Sequence, residues 1–138
     1  MPLHSEIHEQ PMQLAGLLKQ RAQVERIAAA IQSKAPCFVF LAARGTSDNA
    51  GRYANYLWGA ANRMPMALAT PSLFTFYGQP PRLKEALVVA VSQSGKSPDI
   101  IRVLQEGRQQ GCLTLAITNA PDSPLAGTAD LVLDIQAG

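Results

Sequence analysis

The chain has 138 residues, 47% hydrophobic and 16% charged, which suits one globular domain and excludes a disordered chain. Its net charge of +2, with lysines and arginines scattered, gives no nucleic-acid or membrane footprint, and no apolar run is long enough to span a bilayer. Two cysteines without a C-x-x-C or Cys/His cluster point away from zinc and redox motifs and suit a reduced, cytoplasmic setting, and no basic-then-apolar signal segment opens the chain.

The first third reads as helical. Glu6 to Leu18 carries apolar residues at Ile7, Leu14, Leu17 and Leu18, with Pro11 expected to interrupt the helix. Val24, Ile27, Ala28 and Ile31 recur at spacings of three and four and mark a second helix, which Pro36 ends. The period then changes. Cys37 to Ala42 is a continuous apolar run closed by Gly45, the pattern of a strand covered on both faces. Cys37 and Cys112 both open apolar runs, where a buried free thiol is the usual occupant.

Ala50, Tyr53, Ala54, Leu57 and Trp58 return to helical spacing. Met66 to Ala69 is a weak strand, and Ser72 to Tyr77 a short helix before Pro80-Pro81. Ala86 to Val91, uncharged and rich in valine, is the clearest strand of the chain. Ile100, Ile101, Val103 and Leu104 mark a helix ending near Gly111, a C′ glycine. Leu113 to Ile117 is the next strand, Ser123-Pro124 opens a short helix, and Leu131 to Ile135 is the last strand.

Strands alternating with helices predict βαβ crossovers, hence an α/β fold: a three-layer sandwich of about five parallel strands with helices on both faces. Residues 1–35 are expected to form N-terminal helices and 36–138 the α/β unit. The chain stops just after its last predicted strand, where a doubly wound sheet often continues into another helix, so a piece of a longer protein is expected.

Ligands of open parallel sheets bind beyond the carboxyl ends of the strands. Three hydroxyl- and amide-rich loops fall there: Arg44 to Asn49, Ser92 to Ser97, and Thr118 to Ser123. The middle loop is the most informative. Ser92, Ser94 and Ser97 bring hydroxyls, Gly95 allows a tight turn, and Pro98 suits the first helical position with Ser97 as N-cap. A helix starting there turns free N–H groups and the positive dipole end toward the loop, an anion site suited to phosphate. Gly95-Lys96-Ser97 is not a P-loop, which needs a glycine where Ala90 stands, and no G-x-G-x-x-G follows the first strand.

In the first loop Gly45 permits the turn, and Thr46 or Ser47 would cap the next helix while contacting a ligand. Arg44 and Lys96 could each meet an anion or lie in solvent. Ser123 before Pro124 reads chiefly as another cap. His4 and His8 share a helix face, yet the segment is not H-E-x-x-H and no third ligand is apparent; Glu6 and Glu9 have the same surface or packing status.

Glu6-Ile7-His8-Glu9-Gln10-Pro11, Gly45-Thr46-Ser47 and Ser92-Gln93-Ser94-Gly95, in that order over most of the chain, resemble the sugar isomerase (SIS) family. The likeness is greatest to the isomerase part of glucosamine-6-phosphate synthase and its stand-alone isomerase and deaminase relatives. It implies a flavodoxin-like fold and a small-molecule sugar phosphate as ligand, fructose 6-phosphate or glucosamine 6-phosphate. It further implies that Ser92, Gln93, Ser94 and Ser97 hold the phosphate while Gly45, Thr46 and Ser47 lie toward the sugar. No cofactor, metal, nucleic acid or membrane is implied, and a homodimer is expected.

Two features depart from the synthase pattern. Lys96-Ser97 stands where synthases typically have Glu-Thr, and Arg44 where they often carry a cysteine. The resemblance covers the isomerase part and not the glutamine-hydrolysing part, so a stand-alone isomerase or deaminase is expected rather than glutamine-dependent synthesis. The resemblance implies that the family's catalytic glutamate, histidine and lysine lie in a second, similar half or beyond, so no catalytic residue is assigned here. The expected role is therefore the phosphosugar-binding half of an isomerase, deaminase or aminotransferase, with a non-catalytic sugar-phosphate sensor as the alternative.

Overall fold

The two strongest apolar runs pair side by side in the computed structural model, which describes residues 3–137. Strand β1 (Phe38–Ala42) lies parallel to β3 (Ala86–Val91), with Phe38 level with Ala86 and Ala42 level with Ala90. Strand β2 (Met66–Leu68) flanks β1, while β4 (Leu113–Thr118) and β5 (Leu131–Asp134) continue beyond β3. The five strands are all parallel, in the order β2-β1-β3-β4-β5.

Successive strand residues point to opposite faces, and the core divides accordingly. Val39, Leu41, Leu87, Val89 and Leu115 face one side, where Ile27, Ile31 and Trp58 pack on them. Those side chains come from helices α2 (Arg21–Lys34) and α3 (Thr46–Asn62). Phe40, Val88, Ala90 and Ala116 face the other side. There they meet Ile100, Val103 and Leu104 of α5 (Pro98–Gln109), Phe74 of α4 (Ser72–Thr75) and Leu125 of α6 (Pro124–Thr128). The predicted three-layer α/β sandwich is thus the observed one. Among the described residues, no helix is long and apolar enough to cross a membrane.

Helix α1 (Leu3–Leu18) runs straight through Pro11, against expectation. Proline removes one hydrogen-bond donor and crowds the preceding turn, a loss on the order of 3 kcal/mol inside a helix. Here Pro11 is exposed, so no neighbouring element has to accommodate its ring. Cys37 also departs from expectation: the strand starts one residue later, and Cys37 is exposed while Cys112 is buried. The apolar run is continuous in sequence, but Cys37 precedes the paired segment. The outer ends of the expected divisions, 1, 2 and 138, lie outside the described residues.

The end of α5 is as expected. Gly111 has φ +78°, its N–H donates to the Arg108 carbonyl (3.0 Å), and the Cys112 N–H donates to the Gly107 carbonyl (2.9 Å). This is the paired bonding of a Schellman C-cap. At the sheet edge, Gln20 and Gln23 donate side-chain amides to the Asp134 and Val132 carbonyls, at 3.0 and 2.9 Å. They tie α2 to the outer strand and cover part of its exposed backbone.

Candidate functional site at the switch between strands β1 and β3

The strand order decides where a ligand fits. The chain leaves β1 toward β2 on one side, then returns to build β3, β4 and β5 on the other. Between β1 and β3 the loops diverge and leave a crevice at the carboxyl ends of the strands. Because Ala42 and Ala90 are level, the loops after these strands begin side by side.

The loop after β3 is a set of turns closed by its own serines. The buried Ser92 hydroxyl accepts the Gly95 N–H at 3.2 Å, and the Ser94 hydroxyl accepts the Lys96 N–H at 3.3 Å. Gly95 has φ +62°, a left-handed conformation that favours glycine. A Cβ there would fall on the Ser123 hydroxyl and within 2.5 Å of the Ser123 Cβ. The Gln93 carbonyl accepts the Asn119 N–H (3.1 Å) and the Thr118 hydroxyl (3.2 Å), and the Gly95 carbonyl accepts the Leu125 N–H (3.1 Å). The third loop therefore braces the serine loop from behind. Ser123 caps α6 as expected, its hydroxyl accepting the Ala126 N–H at 3.4 Å.

Helix α5 starts where Ser97-Pro98 predicts, with Ser97 in the N-cap position and extended backbone. Its hydroxyl, however, makes no capping bond. The intrahelical ladder begins with the Ile101 N–H donating to the Ser97 carbonyl at 3.0 Å. The N–H groups of Asp99 and Ile100 precede that first rung and have no partner within the helix. The positive end of α5 thus faces the loop.

The turn after β1 differs in one detail. Gly45, at φ +58°, is itself the N-cap of α3, so Thr46 and Ser47 already belong to the helix and cap nothing. The expected side-chain cap fails because the left-handed turn comes one residue earlier. Thr46 and Gly45 are exposed, while Ser47 is half-buried.

These elements enclose a small cleft of about 200 Å³, lined by Arg44, Ser47, Ser92, Gln93, Ser94 and Ser97 over Val91 and Ile100. The structure therefore gathers Ser92, Gln93, Ser94 and Ser97 with Ser47, and leaves Gly45 and Thr46 outside the lining. Arg44 reaches across the crevice to α5, where its Nη1 lies 3.0 Å from Asp99 Oδ2. The sequence reading does not single out Asp99; its only signal is an acidic residue two positions after a helix-starting serine. Lys96 is exposed and outside the lining.

A larger cavity of about 670 Å³ opens between α1 and the end of β5, lined by Glu6, Glu9, Gln13, Leu14, Gln93 and Ile135 among others. Gln93 lines both spaces. The His4 and His8 rings lie with centroids 4.5 Å apart, tilted by 59°, and no metal-capable side-chain group occurs among the described residues. The smaller cleft can receive a compact anion: it offers hydroxyls, a guanidinium and a helix N-terminus, with apolar walls beneath.

Comparison with known proteins agrees with this architecture. The family model described as the SIS domain matches residues 33–138. The glutamine–fructose-6-phosphate aminotransferase (isomerizing) of Symbiobacterium thermophilum is 35% identical over 141 residues, covering 96% of this chain and 23% of that protein. A candidate phosphosugar isomerase from Silicibacter pomeroyi DSS-3 superposes with a TM-score of 0.92 at 41% identity, covering 97% of this chain and 41% of the other. The C-terminal domain of glucosamine-fructose-6-phosphate aminotransferase from Francisella tularensis gives a TM-score of 0.84 at 25% identity, over 99% of this chain and 40% of the other. The chain spans about a quarter of the length of the curated relative and about two fifths of the solved chains.

Proposed function

The chain belongs to the SIS domain family, and from that premise we propose that its cleft binds a hexose 6-phosphate, either fructose 6-phosphate or glucosamine 6-phosphate. Ser92, Gln93, Ser94 and Ser97 receive the phosphate, and the Gly45-Thr46-Ser47 turn lies toward the sugar. The observation that carries this reading is the meeting of the serine loop and the first turn of α5 in one cleft at the strand-order switch. A phosphate dianion there would accept hydroxyl and backbone N–H bonds and sit at the positive helix end.

Binding is one part of an aldose–ketose or amino-sugar conversion. Moving a proton between adjacent carbons requires a base. The cleft lining supplies alcohols, an amide and a guanidinium. We therefore assign residues 1–35 to a helical extension and 36–138 to the phosphate-holding first half of a two-half enzyme, with the base on the second half. Two reduced thiols suit a cytoplasmic protein.

The test is thermal shift of the 138-residue chain titrated with each sugar phosphate. Saturable stabilisation is expected, rising by about 2.7 kcal/mol at a hundredfold excess over Kd. Ser94→Ala should remove it. No stabilisation by any hexose phosphate would defeat the binding reading. Turnover by residues 1–138 alone would instead defeat the assignment of the base to a second half.

A further inference from the structure

Arg44 and Asp99 are not accounted for by the phosphate-binding serines. Arg44 sits one residue before the Gly45 turn, at the carboxyl end of β1, and its side chain is 67% exposed. It lines the same cleft as Ser47, Ser92, Ser94 and Ser97. Asp99 lies in the first turn of α5 with its side chain only 19% exposed; Oδ2 meets Arg44 Nη1, and Oδ1 is buried without a hydrogen-bond partner among the described residues. A carboxylate so placed is favoured by the helix dipole. It also stands at the end of the helix that an anionic ligand would use, where it repels that ligand.

We propose that Arg44 is a further ligand-binding residue, clamping the phosphate from the β1 side of the cleft, and that Asp99 acts through it as the positioning residue that sets the clamp's strength. The inference rests on the sugar-phosphate reading above. A guanidinium carries five N–H donors in a rigid fork, and a carboxylate takes at most two of them. Arg44 can therefore keep Asp99 and still bond a phosphate oxygen. The pair does two things at once. It cancels part of the Asp99 charge next to an incoming dianion, and it ties up part of the guanidinium, so the clamp is weaker than a free fork would be.

Two opposite signs follow, and a merely structural salt bridge would not produce both. Arg44→Ala removes the clamp and exposes the ligand to the Asp99 carboxylate, so hexose-phosphate affinity should fall by about 10-fold or more. Asp99→Asn removes the repelling charge and releases the guanidinium, so affinity should rise about threefold, the net of a largely buried charge already paired with Arg44. Arg44→Lys keeps the charge and loses the fork, and should fall between the wild type and Arg44→Ala.

Isothermal titration of the 138-residue chain with fructose 6-phosphate, glucosamine 6-phosphate and inorganic phosphate at two salt concentrations reads all of these, with circular dichroism confirming that each variant is folded. The expected result is weaker binding in Arg44→Ala with a shallower salt dependence, and tighter binding in Asp99→Asn. Unchanged affinity in folded Arg44→Ala, with Ser94→Ala still abolishing binding, overturns the clamp and leaves the sugar-phosphate reading standing. Weaker binding in Asp99→Asn overturns the tuning role. Absence of binding by the wild type to all three probes overturns both the clamp and the reading it rests on.

Discussion

Gly95 is the residue on which the geometry of the serine loop turns. Its φ of +62° and its contact with Ser123 leave no room for a side chain. Gly95→Ala should therefore cost about 3 kcal/mol, combining left-handed strain with overpacking against a buried helix cap. Urea denaturation would show it, and a wild-type midpoint would contradict this packing. Cys112 gives a second prediction at this scale. Burial pushes its thiol above the ordinary value, while a backbone bond from Ala86 and the charge of Lys34 pull the other way. The folded thiol keeps its proton at a pH where the unfolded one has lost it, so stability is intact below the unfolded value and falls as pH rises beyond about 8.5. Comparing denaturation of the wild type and Cys112→Ala from pH 7 to 10 isolates this effect: the gap between them should shrink toward alkaline pH. Side-chain detail of this kind was only partly legible in the sequence. Ser97-Pro98 announced where α5 begins, yet nothing in it told that the Ser97 hydroxyl would not cap. Cys37 and Cys112 occupy similar runs, and only the pairing of the strands separates the exposed thiol from the buried one. Arg44 and Asp99 are 55 positions apart and meet only because β1 and β3 are neighbours.

At the scale of elements, two glycines let helices lie close on the sheet. A Cβ at Gly107 of α5 would stand 2.6 Å from a methyl of Val88, and one at Gly51 of α3 the same distance from a methyl of Leu41. Val88 is fully buried in a central strand and β-branched, so it cannot turn aside. Gly107→Ala should destabilise by about 2 kcal/mol, the overpacking cost exceeding the roughly 1 kcal/mol that alanine gains in a helix. A Cβ at Gly59, also in α3, would meet nothing within 4 Å. Gly59→Ala should stabilise by up to about 1 kcal/mol, and the opposite signs of the two variants in denaturant titrations test whether close approach decides. The elements themselves were largely legible. β1 and β3 are continuous apolar runs bounded by turn residues, because strands buried on both faces have no polar side to show. Pro11 misled because local propensity argues against a helix that forms all the same.

The whole molecule poses the question of what covers its remaining apolar surface. Helices α1 and α2 contribute no fully buried residue. Leu3, Ile7, Leu14 and Leu18 of α1 are 71, 50, 63 and 80% exposed, and their spacing places them along one stripe. Tyr53, Tyr56 and Leu57 of α3 are likewise exposed, as are Phe76 and Tyr77 beyond α4. Large apolar side chains left exposed along one helix face are candidates for an interaction surface. Sequence periodicity put Ile7, Leu14 and Leu18 at helical spacing, but with Pro11 expected to interrupt the helix it implied no continuous stripe, and it could not show that the α/β core leaves these residues uncovered, since that depends on where the helix docks. We expect the 138-residue chain to self-associate through such surface, as a homodimer. Sedimentation equilibrium should show a concentration-dependent dimer, and Leu14→Glu with Leu18→Glu should shift it to monomer if α1 carries the contact. A dimer that survives both substitutions would move the contact to the α3 aromatics, where Tyr56→Glu tests it. A monomer at all concentrations would leave the exposed stripe to other chain or another partner, and would remove the homodimer from the account. Because the α1 stripe and the 670 Å³ cavity beside Gln93 involve the same helix, a contact there should also alter hexose-phosphate affinity. Titration of the dimer-breaking variant therefore distinguishes a contact that helps shape the site from one that only hides apolar surface.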